Sequence, residues 1–179
     1  MLRLTIPAQE LWDDKKECFI QTKEQTLQLE HSLVSLSKWE AKYHKPFLTK
    51  DDKTYEETLY YIQCMTITQN VNPEVYNGLT SENIKQIHDY IEDPMTATTI
   101  NSRNTGNSRR IMTSELIYFY MLSFGIPVEF QKWHLNRLIT LIRVCEIENA
   151  PNKKMSRSEI MSRNSALNKA RKAKLHTKG

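Results

Sequence analysis

The sequence predicts a mainly α-helical protein with a small antiparallel β element at its N-terminus and a basic helical arm at its C-terminus. Three observations carry this prediction. Apolar residues recur at three- and four-residue spacing from Ser32 to Cys145; hydroxyl-led capping signals precede several of these runs; and strict alternation of apolar and polar residues is confined to the chain before Ser32.

Leu2, Leu4 and Ile6 alternate with Arg3 and Thr5, a short strand that Pro7 ends. Phe19-Ile20 and Thr26–Leu29 are further short strand candidates, and two or three of these would pair as a small antiparallel sheet. A helix is expected from Ser32 to about Lys42, with Leu33, Leu36 and Trp39 or Glu40 on one face and Pro46 as its stop. Thr54 and Glu57 form a capping box, in which the hydroxyl takes a free backbone amide and the carboxylate takes another. The helix behind it presents Leu59, Ile62 and Met65 or Thr66. Thr80-Ser81-Glu82 opens a third helix with Ile84, Ile87 and Ile91 inward, stopped at Pro94. Residues 94–112 hold little that is apolar and read as a long loop, exposed and mobile over 99–110 because few contacts offset its ordering entropy. Thr113-Ser114-Glu115 caps an apolar helix, Leu116–Phe124, closed by Gly125. Pro127 is expected to start the next helix, a largely buried one carrying Phe130, Trp133, Leu138, Leu141, Ile142 and Cys145. Ser156 and Glu159 form a second capping box ahead of a polar helix over about 157–174, whose large apolar groups are Ile160, Met161, Leu167 and Leu175. The expected core is Leu33, Leu36, Trp39, Leu59, Ile62, Ile84, Ile87, Leu116, Phe119, Trp133, Leu138, Leu141 and Ile142.

The chain of 179 residues suits a helical body over 1–150 with a basic arm over 151–179. Its net charge of +4 conceals an asymmetry: residues 149–179 hold nine basic groups and one acidic, a net of +8, so the remaining 148 residues carry −4. A basic tail on an acidic body suits nucleic acid, an acidic protein surface, or folding back on the body. The candidate binding residues are Lys153, Lys154, Arg157, Arg163, Lys169, Arg171, Lys172 and Lys174, of which 169–174 form the densest run.

Other chemistries find little to build on. Four glycines, Gly78, Gly106, Gly125 and Gly179, lie too far apart for a phosphate-cradling loop. Cys18, Cys64 and Cys145 form no CxxC pair and read as buried thiols of a reducing cytoplasm. The five histidines contain no i, i+4 pair for a metal, and no GxSxG elbow exists. No metal or cofactor is therefore expected, and no catalytic residue. Neither acidic pair, Asp13-Asp14 or Glu56-Glu57, is a carboxylate dyad, because adjacent helical residues do not face each other. His134 and Asn136 invite comparison with a His–Asn nuclease site but lack a nearby metal ligand. The plainer reading places Trp133 in the core and lets His134, Asn136 and Arg137 hydrogen-bond neighbouring loops. Tyr55, Tyr60, Tyr61, Tyr118, Phe119 and Tyr120 lie on amphipathic helices without interleaved cations, which suits packing better than base stacking. No apolar run approaches the roughly 20 residues of a membrane span, and Met1–Pro7 is too short and polar for a signal peptide.

Several patches resemble small proteins of tailed-bacteriophage morphogenesis modules: residues 29–40 (LEHSLVSLSKWE), 94–98 (PMTAT), 133–145 (WHLNRLITLIRVC), 167–171 (LNKAR) and the closing TKG. Within such modules a small helical protein of this size is similar to tail assembly chaperones. That resemblance implies no enzymatic activity, phage tail proteins (tape-measure or tube) or further copies of the chain as partners, and residence in the host cytoplasm. A structural protein of the virion neck or tail, held in a ring by its neighbours, and a nucleic-acid-binding accessory protein using the basic arm are the alternatives.

Overall fold

The computed structural model describes residues 1–13, 17–100, 111–150 and 156–175. The expected loop segment 99–110 and the basic pair Lys153 and Lys154 thus lie largely or wholly outside the described residues. The chain divides into two compact units, Met1–Cys145 and Glu146–Gly179. The fold is mainly α, with a small antiparallel β element at the N-terminus and a helix at the C-terminus.

Four short strands precede the helices: β1 (Leu2–Ile6), β2 (Gln9–Asp13), β3 (Cys18–Thr22) and β4 (Gln25–Leu29). β1 pairs antiparallel with β4, Leu2 opposite Leu29 and Leu4 opposite Leu27, and β2 pairs with β3 as a hairpin between them. The period-2 pattern settles the buried face of the first pair: Leu4, Ile6, Leu27 and Leu29 are buried while Arg3, Thr5 and Thr26 are exposed. β2 was not foreseen, because the pattern of Gln9–Asp13 is too brief to stand out.

α1 (Leu33–Tyr43) starts on a capping box in which Ser32 and Ser35 exchange hydrogen bonds, Ser35 standing where a glutamate is usual. It ends before Pro46 is reached, at His44 in the left-handed conformation. α2 (Tyr55–Met65) starts on the expected Thr54–Glu57 box. Lys45, 2.9 Å from the Glu57 carboxylate, holds that group below its ordinary range, aided by the Thr54 amide. A 3-10 helix (Pro73–Gly78) leads into α3 (Ser81–Glu92), then come α4 (Ser114–Ser123), a second 3-10 helix (Val128–Lys132), α5 (Leu135–Asn149) and α6 (Arg157–Leu175). Gly125, at φ +64°, closes α4: its amide bonds Leu122 O, and the Ile126 amide reaches Met121 O at 2.8 Å, the Schellman pattern. The expected helix from Pro127 starts only at Leu135, because Trp133 is extended and Ser32 bridges to His134.

Two hydrophobic clusters share α1. Trp39 joins the sheet, α2, the first 3-10 helix and α3 in one; Leu33 and Leu36 join Ile117, Met121, Leu135, Leu138 and Ile142 in the other. Aromatic contacts lock the first: the Trp39 indole N–H donates to Glu57 O at 2.9 Å, and Phe47 stacks on Tyr61 at 3.9 Å.

The structure corrects several core assignments. Ile84 and Phe119 are exposed, and Leu59, Leu116, Trp133 and Leu141 are half-buried. On α3 the inward residues are Asn83, Ile87 and Tyr90. Asn83 turns in because its side chain both caps the Thr80 amide and donates to Thr5 O of β1. α4 is apolar all round, so periodicity cannot choose its face. The choice is made by Glu40 of α1, whose buried carboxylate takes the Ser114 amide at 2.7 Å and the Phe47 amide at 2.9 Å. A carboxylate at a helix N-terminus meets both an unpaired amide and the favourable end of the dipole. Cys64 and Cys145 are half-buried rather than buried, and the Cys18 side chain is outside the described residues.

Because Glu40 satisfies two amides, Glu40→Ala should cost about 2–4 kcal/mol of stability. Glu40→Gln, which keeps one acceptor oxygen, should cost clearly less. Urea unfolding of the two variants measures the difference; equal losses would mean that the side chain acts only by filling space.

Candidate functional site

Six of the eight sequence-predicted binding residues lie on α6. The Glu159 carboxylate accepts from the Ser156 amide at 2.8 Å and the Ser156 hydroxyl accepts from the Glu159 amide at 3.2 Å, so the expected capping box is formed. The helix then runs 19 residues, about 28 Å at 1.5 Å per residue. None of its residues is buried.

Arg157, Arg163, Lys169, Arg171, Lys172 and Lys174 all lie on α6 and are exposed. With Glu159 they give this helix a net charge of +5. At 100° per residue these six positions spread over about 240° of the circumference and flank the line of Ile160 and Leu167, leaving the opposite third, with Glu159, Ala166 and Ala170, without a cation. Ile160 and Leu167, seven residues apart, share a narrow stripe with Asn164, and Met161 and Asn168 lie beside it. Ile160 and Leu167 are each a little under half exposed, so the stripe is available to a partner.

The first unit carries a second accessible surface that sequence reasoning missed. The outer side of α4 presents Phe119, 56% exposed, and Leu122, 81% exposed, with Glu115 one turn before them. A helix apolar on every side, joined to the body through Ile117 and Met121, must leave apolar groups outward. The near-continuous apolar run Leu116–Leu122 is the available signal: it exceeds what one buried helix face can hold. The aromatic residues grouped in the sequence are dispersed. Tyr61 is buried against Phe47, Tyr60 packs on Tyr43 under the Lys42 ammonium, and Tyr118 donates to Gln131 Oε1.

His134 and Asn136 are engaged within the fold. Asn136 donates to the carbonyls of Ile91 and Asp93 at the end of α3, at 2.8 and 2.9 Å. His134 Nε2 donates to Tyr90 O at 3.0 Å. Both therefore hold the end of α3 to the start of α5: they hydrogen-bond within the fold as the plainer sequence reading expects, but to the last turn and C-cap of a helix rather than to loops. Arg137 differs from that reading: its guanidinium lies over the half-buried Trp133 ring at 3.9 Å, while Phe130 stacks on the same indole.

His31 and His134 lie edge to face with ring centroids 5.1 Å apart. His31 Nδ1 shares a 2.6 Å hydrogen bond with the Tyr61 hydroxyl. Burial, and secondarily His134, lower the His31 pKa to about 3; burial lowers that of His134. Among the described residues no group of three or more histidine, cysteine, aspartate or glutamate side chains is placed to hold a metal, and no helix is long and apolar enough to cross a membrane.

Comparison with protein-family models, with curated proteins and with solved structures gives no match.

Since no residue of α6 is fully buried, its helicity rests largely on local terms such as its cap. Ser156→Ala should weaken it by about 1 kcal/mol. Circular dichroism of a 153–179 peptide should lose helical ellipticity on that substitution, and an unchanged spectrum would show that the cap contributes nothing.

Proposed function

We propose that this protein is a non-enzymatic assembly factor that binds a protein partner through α6, and, following the resemblance of its sequence patches, that it serves as a tail assembly chaperone for a bacteriophage tape-measure or tube protein. The observation that carries the reading is α6 itself: a capped, encoded helix of 19 residues with no buried side chain. Encoding a helix while burying none of it is expected of an element completed by a partner. Its stripe of Ile160, Met161 and Leu167 offers a docking line, and its cations offer charge complementarity to an acidic surface. The outward Phe119 and Leu122 of α4 supply a separate apolar contact of the kind a chaperone uses to shield a client's apolar stripe. On this reading the protein acts in the host cytoplasm; stoichiometric copies in purified particles would turn it into a structural component of the neck or tail.

One observation favours nucleic acid as the partner instead: six exposed cations on one helix of 19 residues offer contacts to several phosphates.

Deleting residues 153–179 should leave the body folded, with a loss of less than about 1 kcal/mol, roughly 2–4 °C in Tm, while abolishing capture of the tape-measure or tube protein in a pull-down. A truncated body that unfolds or aggregates would make the arm part of the fold and remove this reading. Binding of the full chain to DNA or RNA with a log–log salt slope near −0.9 per phosphate contact would replace the protein partner with nucleic acid.

A further inference from the structure

The polar groups between the two hydrophobic clusters have a role that partner binding through α6 does not use. His31 precedes Ser32, the N-cap of α1, and His134 immediately precedes α5, and both rings are buried. The chain joins at the same point: the Leu135 amide donates to His31 O at 2.7 Å, and Ser32 bridges to His134. The start of α5 is thus held by one main-chain bond to residue 31 and by the His134 and Asn136 bonds to the end of α3.

The protonation states follow from the partners. A carbonyl only accepts, so His134 Nε2 carries the proton that Tyr90 O receives; in the neutral ring Nδ1 is then a bare lone pair. That Nδ1 is buried and has no hydrogen-bond partner. Adding a proton there would place an N–H with no acceptor in an apolar site, beside a second imidazole. The groups facing the pair offer limited compensation. Tyr61 from α2 and Tyr90 from α3 are neutral hydroxyls whose burial raises their pKa further. Glu30, after β4, already accepts from the Tyr90 hydroxyl at 2.6 Å and from the Met1 ammonium at 3.1 Å. Burial of His134 outweighs the groups that favour its charged form, which are the Tyr90 carbonyl, the Glu30 carboxylate and Asp93, beyond α3, and the Met1 ammonium opposes them as well.

We propose that the His31–His134 junction is an acid-released latch: protonation of the pair frees the start of α5 from His31 and from the end of α3, uncovering Leu135 and Leu138 and the Leu33 and Leu36 side chains that they cover, while the sheet, α2 and α3 stay packed. The sign follows from linkage. Both histidines have lower pKa values closed than open, so the closed state is fully favoured above about 6.5, the open-state value, and loses ground as pH falls from there toward about 3, the closed-state value of His31. From His31 alone the opening constant should rise about 100-fold between pH 8 and pH 4.5.

Amide hydrogen exchange on the full chain reads the latch directly. The protection factor of the Leu135 amide should fall about 100-fold or more over that interval, whereas the Glu30 amide, bonded to Met65 O at 2.9 Å, should keep its protection. In the double variant His31→Gln, His134→Gln, whose amides cannot titrate, the dependence at Leu135 should flatten. Imidazole NMR titration of the unmodified protein provides a test that survives a misfolded variant: both rings should titrate below the ordinary histidine value of about 6.5, His31 far below it. A ring titrating near 6.5 in the folded protein, or simultaneous loss of protection at Leu135 and Glu30, would overturn the proposal.

Discussion

The segment from Gln28 to Ser35 satisfies its polar groups with several elements at once, and the arrangement of the first unit depends on it. On one side Glu30 N bonds Met65 O and Ile67 N bonds Gln28 O, tying the end of α2 to β4. On the other, His31 O takes the Leu135 amide that starts α5. Ser35 closes the segment with its one hydroxyl proton shared between the carbonyls of Glu30 and Ser32, at 2.9 and 3.0 Å. A buried peptide group without a partner costs free energy comparable to a lost hydrogen bond, so this short stretch dictates where α2 and α5 can lie.

From that anchor α1 inherits its position between two clusters. Its first turn, with Leu33 and Leu36, faces α4 and α5, and its later Trp39 faces the sheet, α2 and α3. The polar residues of α1 carry as much information as its apolar ones. Glu40 lies one residue beyond Trp39, yet it orients α4 by capping it from a distance of 74 residues in sequence. A buried carboxylate serving two amides is acceptable because both are otherwise unpaired donors. The histidine pair is of a different kind. Its neutral rings fit between the clusters at the expense of one unsatisfied nitrogen, His134 Nδ1, which makes this boundary a polar weak point of the interior.

The accessible surfaces follow from the same economy of burial. α4 is attached through the buried Ile117 and Met121, with Tyr118 and Tyr120 packed beside them, and presents Phe119 and Leu122 to solvent. α6 carries too few apolar groups for a core face, and too many cations to be buried without partners, since an uncompensated buried charge costs several kcal/mol. An interaction protein that recognises its client through an exposed helix and an apolar helical face is therefore the functional reading these surfaces support.

Local chemistry made much of this architecture legible in advance. The hydroxyl caps at Ser32, Thr54, Thr80, Thr113 and Ser156 each open a helix, Gly125 closes one, and the alternation in Leu2–Ile6 and Thr26–Leu29 names the buried strand face. The candidate site was legible as a charge run on a capped helix, because charge and capping are set by neighbours in the chain. Tertiary structure alone decided which side of α4 faces inward, why Asn83 rather than Ile84 is buried, and why α5 waits until Leu135. Those choices rest on hydrogen bonds between residues far apart in sequence: Glu40 with Ser114, Asn83 with Thr5, and His31 with Leu135. Sequence by itself determined the elements, whose signals span a few residues; their facing and their joints were decided by donors and acceptors that meet only when the chain has folded.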